Sequence, residues 1–354
     1  MTEPMPEMPF LANVGLLMTR KCQVTCPHCI IQAGPHQTEE ICLEDACKWI
    51  TEAAVYRGGH IEVLSLTGGE PFFNLDHIKR ISDHAEMKGM YVSAVTNAYW
   101  ASSKEEAVRV LMHNSAIRMI SVSTDVYHQM YIPFERVKNA VAAAQECDVL
   151  CTVAVCTENE DDIRYRRILD DVHQLLPSEY VFTAITFAAG RALKRLDNSR
   201  YPLTTEVPAS ACAAGSSPII FPTGKVTACI GPVIDLQSDH PLMLGNLRER
   251  SLRDILDDAE LNPILHAIRV WGPRKLIEMA VDAGLGDYLL KLYIKDSMCN
   301  ACYSLMSNSV IIGFLQELSR NLDFAQRVAY ARAYYLGEMR MAERMGLKEP
   351  HMAG

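Results

Sequence analysis

The sequence lacks the features of several large classes of protein. It has no run of lysine and arginine long enough to neutralise a phosphate backbone, and its formal net charge is −9, so we do not expect nucleic acid as a partner. No stretch reaches the ~18 apolar residues that a membrane span requires. The start of the chain is acidic and proline-rich, without the basic and apolar segments of a signal peptide. We therefore expect a cytoplasmic protein that acts without a membrane.

The composition favours a sizeable folded core. The chain has 354 residues, of which 49% are hydrophobic and 22% are charged, and one α/β barrel can take up ~200 residues or more. One large domain with a smaller second domain is the first expectation. The chain also has twelve cysteines, which do not indicate disulfides because cytosolic reductants keep thiols reduced. Metal or radical chemistry explains them better if they cluster at ligand spacings, and ordinary burial explains them otherwise.

Apolar runs alternate with amphipathic stretches in the first part of the chain. This alternation predicts a parallel sheet whose strands are joined by right-handed helical crossovers. The predicted strands are residues 14–18, 61–66, 91–95, 118–123, 150–156 and 181–187. The predicted helices between them are residues 43–56, 75–88, 104–112, 134–146 and 161–176.

The pattern changes after Gly190, where prolines separate short β-like segments. A helix is predicted at residues 252–259, and residues 310–346 have the periodicity of a helix packed on the rest of the protein. The sequence therefore predicts an α/β fold in three parts. These are a barrel domain at 10–192, a smaller domain at 205–309 and a helical C-terminal extension at 310–354.

Three cysteines follow the first predicted strand in a C-x3-C-x2-C pattern. Cys22, Cys26 and Cys29 can hold three irons of a cubane cluster and leave the fourth iron open. A zinc site normally uses four ligands, and His28 stands directly against Cys29, which makes joint tetrahedral ligation awkward. Three buried structural cysteines remain the alternative.

A glycine-rich run ends the second predicted strand. In Thr67-Gly68-Gly69-Glu70-Pro71, the two glycines let the backbone approach a ligand closely, and the carboxylate can accept hydrogen bonds from an ammonium group. The methionyl amine of S-adenosylmethionine (SAM) has this chemistry. By itself such a run is equally typical of a plain turn. Its position one strand after the cysteines is what favours a functional interpretation.

With these motifs in this order, residues 14–192 resemble the radical SAM superfamily. The resemblance implies a partial (β/α)6 barrel with its site at the carboxyl ends of the strands. It also implies a 4Fe-4S cluster on the three cysteines, whose open iron is chelated by SAM. One electron, from a flavodoxin- or ferredoxin-type donor, then splits SAM to a 5′-deoxyadenosyl radical that abstracts hydrogen from a substrate. The run Gly190-Arg191-Ala192 resembles one found in many members.

Four further residues fall where the superfamily places ligands, and a cysteine near them is a fifth candidate. Asn97 and Ser123, at the ends of the third and fourth strands, would contact the cofactor. Asp125 and His128 would face the substrate, with surface or packing roles as the alternative. Cys156, near the end of the fifth strand, could donate a hydrogen atom to a substrate radical, and core packing is its alternative.

A second group of cysteines lies in the C-terminal half. Gly224 and Cys229 form a G-x4-C pattern, Cys299 and Cys302 form C-x2-C, and Cys212 precedes them. This resembles the twitch domain, a shortened form of the SPASM domain, and implies one auxiliary 4Fe-4S cluster. Four thiolates would occupy every iron, which favours electron transfer over substrate binding. A structural zinc ion with four cysteines is the alternative.

Three functions are compatible with these features. The first is modification of a ribosomally made peptide, by crosslinking, epimerisation or oxidation, although no peptide-recognition domain is expected before Cys22. The second is dehydrogenation or rearrangement of a small sugar or aminocyclitol. The third is a non-enzymatic iron-sulfur or zinc scaffold, against which the Gly-Gly-Glu run argues. Substrate-selecting loops leave no periodic signal, so the sequence does not separate the first two.

Overall fold

The computed structural model describes residues 10–339. Its strands are β1 (Asn13–Leu17), β2 (Val63–Thr67), β3 (Tyr91–Thr96), β4 (Ile117–Ser123), β5 (Leu150–Thr157), β6 (Val181–Ile185), β7 (Leu203–Thr204), β8 (Ile219–Ile220), β9 (Lys225–Thr227), β10 (Met243–Asn246) and β11 (Tyr293–Ile294). Its α-helices are α1 (Leu43–Ala54), α2 (Leu75–Met87), α3 (Lys104–His113), α4 (Phe134–Glu146), α5 (Ile163–His173), α6 (Ala192–Arg195), α7 (Leu252–Leu261), α8 (Pro263–Trp271), α9 (Pro273–Asp282), α10 (Met298–Met306), α11 (Ser309–Ser319) and α12 (Leu322–Leu336).

The first compact unit comprises residues 13–202 and 219–225. Strands β1 to β6 lie side by side in chain order and are all parallel, and β8 adds a short parallel strand beside β1. Helices α1 to α5 connect successive strands. Each predicted strand and helix of this half is present, so the predicted α/β fold of the partial-barrel type is confirmed. Parallel strands bring their carboxyl ends to one edge, which is where the predicted site residues lie.

Three helices of this unit, α2, α3 and α5, begin at side chains that accept hydrogen bonds from free backbone N–H groups. Asn74 accepts from the backbone N–H of His77 at the start of α2, and Ser103 accepts from that of Glu106 at the start of α3. Each helix turns an apolar face inwards, as α2 does with Ile78. At α2 and α3, capping and periodicity agree, which is consistent with how closely the sequence predicted them.

One face of the sheet carries small side chains towards its carboxyl end. The register pairs Ser123 of β4 with Ala154 of β5, and Cys156 of β5 with Ala184 of β6. Paired residues of a parallel sheet point to the same side, as do alternate residues of one strand. These four side chains therefore share one face, and they leave room above it.

The second unit comprises residues 10–12, 203–218 and 226–339 of the described chain. Strands β7 and β11 pair antiparallel in it. Its helices α8 and α9 were not predicted, and each begins with a proline. Pro263 and Pro273 occupy the first position of each helix, where a missing N–H costs nothing. The N-cap residue Asn262 accepts from two backbone N–H groups at the start of α8.

Two helices replace the single helix predicted at 310–346. Helix α11 ends at Ser319, and Asn321 caps the start of α12 by accepting from the backbone N–H of Phe324. The predicted stretch after residue 339 lies outside the described residues. Both helices belong to the unit that carries the second group of cysteines, whereas the boundaries at 205 and 310 remain predictions.

Within residues 10–339, no single helix is both long and apolar enough to cross a membrane. Helices α10 and α11 pass that test of length and composition only when taken together, and they are bent by 91° relative to each other.

Candidate functional site

The three N-terminal cysteines lie on a loop that follows β1 and folds back on itself. The backbone N–H of Cys22 donates to the carbonyl oxygen of Gly34 at 3.2 Å, and that of Cys29 donates to the carbonyl oxygen of Cys26 at 3.2 Å. Cys22 and Cys26 are buried, and Cys29 is partly exposed. Burial raises the pKa of Cys22 to about 12. Burial raises the pKa of Cys26 as well, so Cys22 and Cys26 would be thiols in the protein alone, and a bound cluster would deprotonate them.

The Gly-Gly-Glu run packs directly against this loop. The backbone N–H of Gly69 donates to the carbonyl oxygen of Thr19 at 2.7 Å, and that of Glu70 donates to Lys21 at 2.9 Å. A Cβ at Gly68 would overlap the carbonyl oxygen of Thr19, and one at Gly69 would overlap that of Lys21. Gly68 also has a φ of +148°, where side chains are disfavoured. The close approach that these glycines permit is therefore to the backbone leading into the cysteine loop.

Glu70 connects the ends of two strands. It is fully buried, and Oε1 accepts from Thr96 Oγ1 at 2.7 Å and from the backbone N–H of Phe72 at 3.1 Å. Oε2 accepts from the backbone N–H of Asn97 at 2.8 Å. Burial raises the pKa of Glu70 to about 7, while these hydrogen bonds act to lower it. Through these hydrogen bonds, Glu70 connects the segment after β2 to the end of β3. Its contact with an ammonium group stays a prediction.

The two predicted cofactor contacts at strand ends have different surroundings. Asn97 is buried, and its side-chain amide lies 3.5 Å from the sulfur of Cys22 as a donor. Its Oδ1 accepts from the backbone N–H of Tyr99. Ser123 is partly exposed on the small-residue face described above. Asn97 is thus hydrogen-bonded to a proposed cluster ligand, whereas Ser123 lies on an accessible face.

Asp125 lies at the centre of a polar cluster after β4. Its Oδ1 accepts from the backbone N–H groups of Tyr127 and His128, each at 2.9 Å. Its Oδ2 lies 2.8 Å from His128 Nδ1 and 3.7 Å from His28 Nε2. Burial alone would raise the pKa of Asp125, but the charge and hydrogen bond of His128 hold that pKa below its usual value. The same pairing holds the pKa of His128 above its usual value, against the effect of burial.

His28, between Cys26 and Cys29, joins this cluster and was not predicted as a site residue. Its ring centroid lies 4.9 Å from those of both Tyr127 and His128. Burial lowers the pKa of His28 to about 4, so its ring is neutral near pH 7. The structure therefore connects the cysteine loop with the end of β4, and the only sequence signal was the place of His28 inside the motif.

Cys156 lies on the small-residue face, opposite Ala184 in the register. Burial raises the pKa of its thiol to about 12, and the charge of Asp125 acts in the same direction. It is partly exposed. The sulfur therefore keeps its hydrogen at neutral pH, which is the form that a hydrogen-atom donor needs.

The four C-terminal cysteines come together within the second unit. Cys299 and Cys302 lie one turn apart on α10, Cys229 follows β9, and Cys212 is held by a hydrogen bond from its backbone N–H to Ile268. Burial raises the pKa of Cys302, and the charges of the other three cysteines raise it further. Burial and the proximity of Cys212 and Cys229 raise the pKa of Cys299 to about 12. These mutual effects indicate that the four cysteines lie near one another.

A single zinc ion and an iron-sulfur cluster need different sulfur spacings. Zn–S bonds of ~2.3 Å in a tetrahedron put the sulfurs about 3.8 Å apart. In the described part of the chain, no three cysteine sulfurs lie within 4.8 Å of one another. The thiol chemistry of both cysteine groups fits an iron-sulfur cluster, whose irons are held by cysteine thiolates.

Residues 16–172 match the family model described as the Radical SAM superfamily. This segment of the chain is a radical SAM domain. The matched segment contains the cysteine loop, the Gly-Gly-Glu run and the polar cluster around Asp125. The enzyme uses a 4Fe-4S cluster and SAM, as the sequence predicted.

Two known proteins are similar to this enzyme. A Bacillus subtilis (strain 168) protein, YydG, whose name assigns it provisionally to peptide biosynthesis, is 19% identical over 307 residues, which cover 85% of this chain and 94% of the relative. The crystal structure of BtrN in complex with AdoMet and 2-DOIA has a TM-score of 0.43 and 14% sequence identity, with 75% of this chain and 89% of that chain covered. A TM-score this low supports no conclusion about function.

Proposed function

We propose that this radical SAM enzyme abstracts a hydrogen atom from a residue of a ribosomally made peptide. One observation carries this proposal, namely the similarity to YydG, which extends over 94% of that protein. A shared length of this extent supports a similar domain content as well as a similar barrel. The name of YydG refers to peptide biosynthesis, and a peptide is therefore the substrate class that we favour over a sugar or aminocyclitol.

In this proposal, Cys22, Cys26 and Cys29 hold the radical SAM cluster. When bound, the cluster and SAM supply a 5′-deoxyadenosyl radical. Glu70 fixes the backbone of Asn97, whose amide donates to the sulfur of Cys22, and so steadies one ligand. Ser123 lies at the carboxyl edge of the sheet, where it can contact the cofactor.

We assign the small-residue face as the surface where the substrate binds. Ala154 and Ala184 leave space above the sheet next to Cys156, and we assign Cys156 as the hydrogen-atom donor. The S–H bond breaks and a C–H bond forms at the substrate radical, which leaves a thiyl radical. One electron, originating from a flavodoxin- or ferredoxin-type donor, and one proton then restore the thiol. The carboxylate of Asp125 and the imidazole of His128 lie nearby as groups that can hold a proton.

Cys212, Cys229, Cys299 and Cys302 would hold one auxiliary 4Fe-4S cluster in a domain of the twitch type. Four thiolates leave no iron for SAM or substrate, so we assign this cluster to electron transfer. Electron transfer beside a radical SAM site gives a cluster a use that zinc, which has no redox chemistry, would not have. A purified protein with zinc and a single cubane would contradict this assignment.

The proposal is tested by co-expressing the enzyme with a short peptide encoded beside its gene and analysing the peptide by mass spectrometry. We expect a modified residue with the wild-type enzyme and none with the Cys22/Cys26/Cys29→Ala variant. In D2O, a residue that regains hydrogen from the thiol should acquire one deuterium, about 1 Da, because S–H hydrogens exchange with solvent. The Cys156→Ala variant should still cleave SAM but should not return that hydrogen. An unmodified peptide, together with oxidation of an aminocyclitol, would replace the peptide proposal with the second candidate.

A further inference from the structure

Arg191 makes three hydrogen bonds to the cysteine loop from the far end of the barrel domain. Its backbone N–H donates to the carbonyl oxygen of Cys29 at 3.1 Å. Its guanidinium donates through Nη1 to the carbonyl oxygen of Cys26 at 2.8 Å and through Nη2 to that of Ala33. One residue thus holds the backbone of the loop at Cys26, at Cys29 and at Ala33.

The neighbouring glycine allows this contact. Gly190 has a φ of +61°, and a Cβ there would overlap the backbone of Ile30. A residue other than glycine would therefore push the segment away from the loop and carry Arg191 with it. The contact depends on backbone shape as well as on the arginine side chain.

Within residues 10–339, the charge of Arg191 is not paired with a carboxylate. No ion pair of the described residues includes Arg191, whereas Arg20, which donates to Ile31 of the same loop at 2.8 Å, is paired with Glu39 at 3.3 Å. The guanidinium lies against the carbonyl oxygens of Cys26 and Ala33, so its positive charge stands beside the loop that carries the proposed cluster ligands. The guanidinium therefore favours negative charge at the cluster ligands.

We propose that Arg191 is a positioning residue that holds the cysteine loop and raises the reduction potential of the cluster bound there. Reduction adds one negative charge to a cluster, and a fixed positive charge nearby stabilises the reduced state more than the oxidised state. The proposal rests on the assignment of Cys22, Cys26 and Cys29 as the cluster ligands. Arg191 acts through the loop and its charge, without touching the substrate in this role.

The test is a redox titration of the full-length reconstituted enzyme, followed by electron paramagnetic resonance. The signal that changes when SAM is added belongs to the radical SAM cluster, and the Cys22/Cys26/Cys29→Ala variant should lack it. We expect a more negative midpoint potential in Arg191→Gln and Arg191→Met, and a potential near the wild-type value in Arg191→Lys, which keeps the charge. Arg20→Gln is the matched control, and its shift should be smaller because Glu39 already compensates that arginine.

An Arg191→Gln variant with full iron content and an unchanged midpoint potential would overturn the proposal. Loss of the SAM-responsive cluster from Arg191→Gln but not from Arg191→Lys, with native circular dichroism, would support it by showing that assembly needs the charge. Loss from both would reduce Arg191 to a packing residue and reject the proposed role. A SAM-responsive signal that persists in the triple-cysteine variant would reject the ligand assignment instead.

Discussion

Replacement of Glu70 tests whether the Gly-Gly-Glu run has a structural role beside its role towards SAM. In Glu70→Ala, the buried backbone N–H groups of Phe72 and Asn97 lose their acceptor, as does the hydroxyl of Thr96. A buried N–H group without a partner costs about 1–3 kcal/mol. Two such groups cost roughly 2–6 kcal/mol of folding free energy. Part of this loss is offset, because the variant no longer has to bury a carboxylate. We expect a net loss of about 3 kcal/mol in the free energy of unfolding.

Glu70→Gln provides an intermediate case. Its side chain keeps one acceptor oxygen but places an NH2 group against the backbone N–H of Asn97, so we expect a loss of about 1–3 kcal/mol. Glu86→Ala is the control, because Glu86 is an exposed residue of the same unit that pairs with Arg118 at 2.8 Å, and exposed pairs contribute at most about 1 kcal/mol.

The assay is chemical unfolding of the anaerobic protein followed by circular dichroism, with iron content and SAM affinity measured on the same samples. Because Asn97 donates to Cys22, Glu70→Ala should also lower the iron bound by the cysteine loop. A folded Glu70→Ala variant with the unfolding free energy of the Glu86→Ala control would refute the structural role. An effect confined to SAM affinity would leave Glu70 as an ammonium ligand alone.

Three other predictions concern the clusters and the folded scaffold. The reconstituted enzyme should contain about eight irons by chemical analysis, and about four after the three cysteines of the N-terminal loop are replaced by alanine; an unchanged content in that variant would contradict the ligand assignment. Replacing Cys299 and Cys302 together should leave 5′-deoxyadenosine formation detectable by chromatography but abolish the product, and a folded double variant that makes product normally would remove the electron-transfer role. Asp162→Ala should cost about 1–2 kcal/mol in unfolding experiments at neutral pH, because Asp162 caps α5. Hydrogen bonds from Arg164 lower the pKa of Asp162 to about 2, below its value in the unfolded chain, so the stabilisation is present above about pH 4 and is lost as the pH falls towards 2; a difference from wild type that stays constant down to pH 2 would contradict this assignment.

The barrel could be predicted from the sequence because its signals are local. Apolar runs, amphipathic helices and capping residues such as Ser103 each specify one element, and right-handed parallel crossovers then determine how the elements connect. The second unit was harder to predict. Pro263 and Pro273 each stand at the first position of a helix, although a proline in a sequence can equally mark a break. At α8, the capping residue Asn262 is the signal that distinguishes a helix start from a break.

The candidate site was predictable only where its residues are close in sequence. The spacing of the N-terminal cysteines indicated their common loop without the structure. In contrast, the contact of Arg191 with Cys26 joins residues that are 165 positions apart, and no periodicity records such a contact. The burial of Glu70 was also invisible, because a carboxylate after two glycines is equally typical of an exposed turn.

The attachment of the cysteine loop at two distant places has a consequence for the order of folding. The loop needs the Gly68-Gly69 segment after β2 and the Gly190-Arg191 segment after β6, so its native shape depends on contacts of long sequence separation. Such contacts form late, because the loop-closure entropy is lost before they stabilise the chain. A nascent chain that has not yet emerged as far as residue 191 therefore lacks a preformed site, and cluster insertion should follow completion of the barrel.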